Sequence, residues 1–150
     1  GDIHMPLHNT SRVNSKSPEG DRGGNDFDLG DGWPWNLHAF WDGIIDIAEP
    51  KADSIDSFDY YMARAEDITK LHPRSSFVEN AQIDIQNAEV WNREGRDITM
   101  QSVYMPYLKE GEKPPARYTE KAFHIARQRM ALSGYRMAEY LNSVFDPEED

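Results

Sequence analysis

The sequence predicts an all-α protein, and three observations carry that reading. Apolar residues recur at helical spacing through long segments of the chain. Strict apolar–polar alternation, the mark of a half-buried strand, is missing. The breaks between periodic segments coincide with proline, glycine and asparagine, which is where helices stop and start.

The first element read this way is short. Residues 1–8 look like the last turn of a helix that ends near Pro6, because proline drives the residue before it out of helical geometry. Residues 9–35 are irregular and rich in Asn, Ser, Gly, Asp and Pro, closing on Trp33-Pro34-Trp35. A loop of that length in a compact domain is functional or disordered. A helix is predicted from an N-cap at Asn36 to Glu49, stopped by Pro50, with Leu37, Phe40, Trp41, Ile44, Ile45 and Ile47 placing it deep in the core.

After the polar linker 50–53, a second helix is expected over 54–71, with Phe58, Tyr61, Met62, Ala65 and Ile68 turned inward and His72-Pro73 as its stop. A third covers 76–104, burying Phe77, Ala81, Ile85, Ala88, Trp91, Ile98 and Val103. Gly95 lies within it and costs ~1 kcal/mol relative to alanine, which calls for a packing reason or a kink. Pro106 to Arg117 is a surface connection, and the last helix is expected over 119–145. Its inward positions are Ala122, Ile125, Ala126, Met130, Leu132, Met137, Leu141, Val144 and Phe145, with Ser133-Gly134 allowing close helix approach. Asp146 to Asp150 reads as a solvated acidic tail.

Composition narrows the functional classes. With 150 residues the chain is expected to form one domain around one core. Sixteen basic against 27 acidic residues give a net charge of −11, the wrong sign for gripping nucleic acid through a basic face. Phosphate handling would need locally supplied positive charge, and bound metal is the obvious source. There is no cysteine, so disulfides and thiolate sites are excluded within these residues. No apolar run approaches the ~20 residues of a membrane span.

The chemistry-bearing residues cluster early. His38 and Asp42 are four apart on a predicted helix, so both project from one face, and both are good zinc ligands. His8 is a candidate third ligand; the same spacing also arises by chance on a solvated helix face. Asp2 offers a carboxylate able to bridge two cations, or simply a solvated one. His4 fits a supporting or packing role. Asp21-Arg22-Gly23-Gly24-Asn25-Asp26 is a turn whose glycines admit close backbone approach, and Asn25 carries a donor and acceptor suited to a base edge. Trp33 and Trp35 stack a base or, more simply, staple the following helix. Asn9-Thr10-Ser11 is a glycosylation sequon directly after a candidate ligand. His72 and His124, without clustered partners in sequence, read as surface or packing residues.

Three of these blocks in order resemble the S1/P1 nuclease family of zinc-dependent single-strand nucleases and 3′-nucleotidases. They are Gly1-Asp2-Ile3-His4-Met5-Pro6-Leu7-His8, the Asp21 to Asp26 turn, and Asn36-Leu37-His38-Ala39-Phe40-Trp41-Asp42. Trp91 to Tyr104 and Ile125 to Ala138 are similar to the family's late and closing helices. The resemblance implies the helical bundle shared by S1/P1 nucleases and zinc phospholipase C, with a trinuclear zinc cluster. Asp2 falls on the carboxylate bridging two zincs, a catalytic position, and His8, His38 and Asp42 fall on the ligands of the remaining one. Gly24 and Asn25 fall on the nucleobase pocket, and the resemblance implies a secreted protein, which the Asn9 glycosylation sequon fits.

The implied reaction is metal-assisted hydrolysis of phosphodiesters and 3′-phosphomonoesters in single-stranded DNA, RNA or 3′-nucleotides, leaving 5′-phosphorylated products. The family's pattern places further ligands upstream of Gly1. Residues 1–150 are therefore expected to be the C-terminal portion of one domain, inactive alone and partnered by the N-terminal portion. Two alternatives stand beside this reading: a non-catalytic member kept as a structural or assembly component, and a zinc phospholipase C-like hydrolase.

Overall fold

The computed structural model describes residues 1–78, 82–83 and 87–145. Its architecture is all-α, as expected, and among the described residues the only strand-like pairing is one isolated bridge between Asp28 and Asn36. The chain opens with two 3₁₀ turns, Asp2–His4 and Pro6–Asn9, in place of the expected helical turn. Met5 between them is extended, with φ −76° and ψ 120°, because Pro6 excludes helical geometry there.

Helix α1 (Leu37–Asp42) begins where Asn36 caps it, the side-chain oxygen accepting from Ala39 N at 2.7 Å. The single helix expected to run to Glu49 is instead two, α1 and α2 (Ile44–Ala48), divided at Gly43. The ring of Trp33 lies over that break, so close that a Cβ on Gly43 would sit 2.5 Å from it. Trp33 therefore covers the α1–α2 break rather than stapling the start of α1, and Trp35 is exposed. The inward residues are those expected: Leu37, Phe40, Trp41 and Ile44 are buried, with Ile45 and Ile47 packed against them.

Helix α3 (Ser57–Leu71) starts later than expected because Asp56 caps it, accepting from Phe58 N at 2.8 Å and Asp59 N at 3.4 Å. Its inward face is Tyr60 and Ile68, while Phe58, Tyr61 and Met62 face out. What selects this face is the polar end of Tyr60, whose hydroxyl donates to Glu49 O, and Arg64, which pairs with Glu49. The long third helix is also divided, into α4 (Arg74–Val78), α5 (Ala88–Ile98) and a π-helical turn Thr99–Val103. Asn87 starts α5 by accepting from Glu89 N at 2.9 Å. Ala81 and Ile85 lie outside the described residues.

Helix α6 (Ala116–Phe145) has 30 residues and begins just after Pro114-Pro115. At about 1.5 Å per residue it is the longest element and packs against α2, α3, α4 and the first 3₁₀ turn. Its buried residues are Tyr118, Ala122, Arg129, Ala131, Leu132 and Arg136. Met130, Met137, Leu141, Val144 and Phe145, expected inside, are exposed. Among the described residues nothing lies within 4 Å of where a Cβ on Gly134 would stand, and this glycine lines an open cavity instead of admitting a helix.

Two clusters form the core. One joins Leu7, Phe27, Leu29, Phe40, Trp41, Val103 and Tyr118 beneath the chain's first forty residues, and the other joins Ile68, Phe77, Ile83, Ala131 and Leu132. No described helix is long and apolar enough to cross a membrane.

Candidate metal centre

Three segments converge on one small volume: the second 3₁₀ turn, the Asp21–Asp26 turn and α1. His8 comes from the first and His38 and Asp42 from the last, and the possible ligand atoms of these three lie within 4.8 Å of one another. The imidazole rings stack with centroids 5.1 Å apart and planes at 25°. Nε2 of His8 is 3.4 Å from Asp42 Oδ1, and Nε2 of His38 is 3.3 Å from Asp42 Oδ2.

The other nitrogen of each ring is held from behind. His38 Nδ1 lies 2.9 Å from Gly23 O. His8 Nδ1 lies 2.9 Å from Asp2 Oδ1 and 3.2 Å from Asp2 O. Acceptors facing Nδ1 favour a proton there, which leaves Nε2 with the lone pair that a metal ligand requires. Two imidazole nitrogens and one carboxylate within 4.8 Å of one another are a fitting donor set for a divalent cation of the zinc type. Asp2 stands outside this triple; here one of its carboxylate oxygens orients His8, and its side chain is largely exposed.

The glycines of the turn serve close approach. Gly23 has φ +64°, and a Cβ there would fall 2.5 Å from Leu7 O and 3.5 Å from His38 Nδ1. Only glycine lets the turn come near enough for its carbonyl to meet the imidazole. Gly24 O accepts from His38 N at 3.3 Å and from Phe27 N at 3.2 Å, which seats the start of α1. Asn25 is engaged inside the turn, its amide donating to Arg22 O at 2.8 Å and its oxygen accepting from Asn36 at 3.4 Å. The shallow pocket over the ligands is lined by Asp2, His8, Ser11, Arg22, Gly23 and His38, with neither Gly24 nor Asn25 among them.

Asn9 is also occupied. Its amide nitrogen donates to Ile3 O and to Met5 O, both at 2.9 Å, and the side chain lies against Gly95. That contact is the packing reason for a glycine in α5. A glycan would take one of this nitrogen's two hydrogens, so it could not coexist with the pair of hydrogen bonds to Ile3 O and Met5 O.

Residues that sequence reasoning passed over support the site. Asp21 is 1% exposed and accepts from Arg12 N at 2.9 Å and Gly24 N at 3.1 Å, pinning the turn that presents Gly23 O. Its signal in the sequence, an aspartate ahead of Gly-Gly, was read only as turn chemistry. His4 is buried against Trp91 with Arg136 at 3.1 Å from Nε2, the packing role expected of it. Burial first, then the nearby Arg129 and Arg136 charges, lower its pKa to about 4. His72 and His124 are paired after all, with ring centroids 5.5 Å apart and His72 buried.

A wider cavity of about 430 Å³ opens on the other side of His8 and Asp42, bounded by Met5, Trp41, Ile44, Ala126 and Gly134. The search of curated proteins found no match to the sequence. Comparison with protein families matches S1/P1 Nuclease over residues 1–146, which takes in the 3₁₀ turns, the glycine turn and every helix described above. The chain belongs to the S1/P1 nuclease family.

Proposed function

We propose that this chain contributes one metal centre, held by His8, His38 and Asp42, to a zinc-dependent enzyme. That enzyme hydrolyses phosphodiesters and 3′-phosphomonoesters of single-stranded nucleic acids and nucleotides to 5′-phosphorylated products. The observation that carries the reading is the shared aim of two imidazole Nε2 atoms on one carboxylate, each ring fixed from behind at Nδ1. Family membership supports nuclease-type hydrolysis and a zinc requirement.

When bound, zinc supplies Lewis-acid polarisation of a phosphoryl oxygen and a nucleophile at neutral pH. The chain's own residues do the rest. Gly23 O and Asp2 hold the imidazoles in the ligating tautomer, and Asp42 supplies negative charge between them. Asp2, whose side chain is largely exposed, is the candidate for the bridging, catalytic position the family resemblance gives it. Gly24 and Asn25 keep their proposed place beside the nucleobase, reached by backbone and by a side chain that must exchange its internal hydrogen bonds for the base edge. In this reading residues 1–150 are the C-terminal portion of a single nuclease domain, in a secreted protein.

The test is zinc content and turnover in the full-length protein. His38→Ala and Asp42→Ala are each expected to lower bound zinc and to abolish cleavage of single-stranded DNA. Wild-type turnover in either variant would refute the assignment. A protein that binds zinc normally but cleaves no nucleic acid or nucleotide would favour the non-catalytic or phospholipase-like alternatives.

A further inference from the structure

The turn that carries Asp2 and His8 is too short to hold its own shape. Its two 3₁₀ turns span three and four residues and are tied to their flanks by His4 N to Gly1 O at 2.9 Å, Met5 N to Asp2 O at 3.0 Å and His8 N to Met5 O at 3.1 Å. What grips it from the far side is an ion cluster between α5 and α6. Glu94 takes Arg136 through both oxygens, at 2.7 and 2.8 Å, and Arg129 at 2.8 Å.

The two guanidiniums then reach the turn itself. Arg129 Nε donates to His4 O at 3.2 Å, and Arg136 donates to His4 Nε2 at 3.1 Å while also holding Gln82 O at 2.9 and 3.1 Å. Arg136 is 1% and Arg129 5% exposed, so neither fork can swing into solvent and each has one geometry available. A planar fork locked by a carboxylate transmits position in a way that a flexible ammonium does not.

We propose that Glu94, through Arg129 and Arg136, is a positioning residue for the metal centre, holding the His4 backbone and ring so that Asp2 and His8 face His38 and Asp42. This rests on the metal-centre reading above. Glu94 touches no ligand and acts only through the two arginines.

The experiment measures zinc affinity of the full-length protein, by competition with a chromophoric chelator, in Glu94→Gln, Arg136→Lys, His38→Ala and Leu132→Ala. Leu132 lies in the second core cluster on the same helix, so its truncation reports the effect of lost α6 packing with Glu94 and both arginines still in place. Glu94→Gln and Arg136→Lys are expected to weaken zinc binding by roughly tenfold, the low end of what groups in direct contact with a metal ligand contribute, because both act through His4 and not on a ligand. Leu132→Ala is expected to lower Tm with zinc affinity unchanged. Using two variants keeps the test open if one of them fails to fold. Wild-type zinc affinity in Glu94→Gln or Arg136→Lys, with loss in His38→Ala, would overturn the positioning role and leave the metal centre standing. An equal loss in Leu132→Ala would overturn it too, since a merely structural role predicts that. No loss in any variant, His38→Ala included, would remove the metal centre and this proposal together.

Discussion

Gly95 offers a test in which two ordinary effects have opposite signs. Replacing a glycine inside an exposed helix by alanine stabilises by ~1 kcal/mol through backbone entropy. In α5 the new methyl would lie 2.2 Å from Asn9 Nδ2 and 2.8 Å from its Cγ, well inside contact distance. The asparagine must move, and its nitrogen is committed to Ile3 O and Met5 O at 2.9 Å each. Two such bonds are worth ~1 kcal/mol apiece, and the crowding itself costs ~1–3 kcal/mol. The net expectation for Gly95→Ala is destabilisation by ~2–4 kcal/mol, the helix gain included. For a domain of this size each kcal/mol lowers Tm by ~2–4 °C. The assay is thermal or denaturant unfolding of the metal-free protein, run in parallel with Asn9→Ala and the double variant. Truncating Asn9 to alanine removes the clash with its amide group and leaves Asn9 Cβ 3.2 Å from the new methyl, so in that background the same Gly95→Ala change should lose most of its cost. That relief is the signature. A Gly95→Ala protein more stable than wild type would refute the argued packing.

Three further outcomes follow from the same geometry. Asn36→Ala removes the cap on α1 and the partner of Asn25, and is expected to cost ~1 kcal/mol in denaturant unfolding, with weaker zinc binding because α1 carries His38 and Asp42. Burial, reinforced by His124 and Arg127, lowers the pKa of His72, so the unfolded chain takes up a proton there before the folded one does. Stability from this source is complete above the ordinary imidazole value near 6.5 and is lost as pH falls below it; His72→Gln should flatten that part of the stability–pH curve. Asn9 is expected to carry no glycan in folded, secreted material, which intact-mass measurement with and without glycosidase decides.

Helix existence was legible because it depends on apolar period, which Leu37, Phe40, Trp41 and Ile44 express cleanly. Helix extent was not, because it is decided by single groups that period does not register. Asp56 and Asn87 start α3 and α5 with their side-chain oxygens, and Gly43 under the Trp33 ring divides α1 from α2. Which face turns inward was misread wherever polar anchors outweighed apolar count. Tyr60 enters the core through its hydrogen bond to Glu49, leaving Phe58 and Met62 outside. In α6 the burial of Arg129 and Arg136 sets the rotation, and Met130, Met137 and Leu141 then face out.

The candidate ligands stand out for a different reason: His38 and Asp42 follow from helical spacing, and the other positions from the resemblance of whole blocks. What spacing could not supply is the set of groups that make those ligands usable. An imidazole beside a carboxylate is a metal ligand only if its proton sits on the far nitrogen, and here Gly23 O and Asp2 decide that. Gly23 O is in turn placed by a turn pinned on buried Asp21, and the His8 turn by Thr99, whose hydroxyl donates to Pro6 O at 3.0 Å, and by the Glu94 cluster. A buried polar side chain costs free energy unless it is fully partnered. Among the described residues, buried Asp21 accepts from Arg12 N and Gly24 N through Oδ1 and faces Arg12 Nε at 3.6 Å through Oδ2, while buried Arg129 and Arg136 hold the His4 carbonyl and ring, so all three act on the turns that present His8 and His38. In a protein of net charge −11, two arginines held this deeply behind a site of carboxylates are where its positive charge acts on structure rather than on solvent.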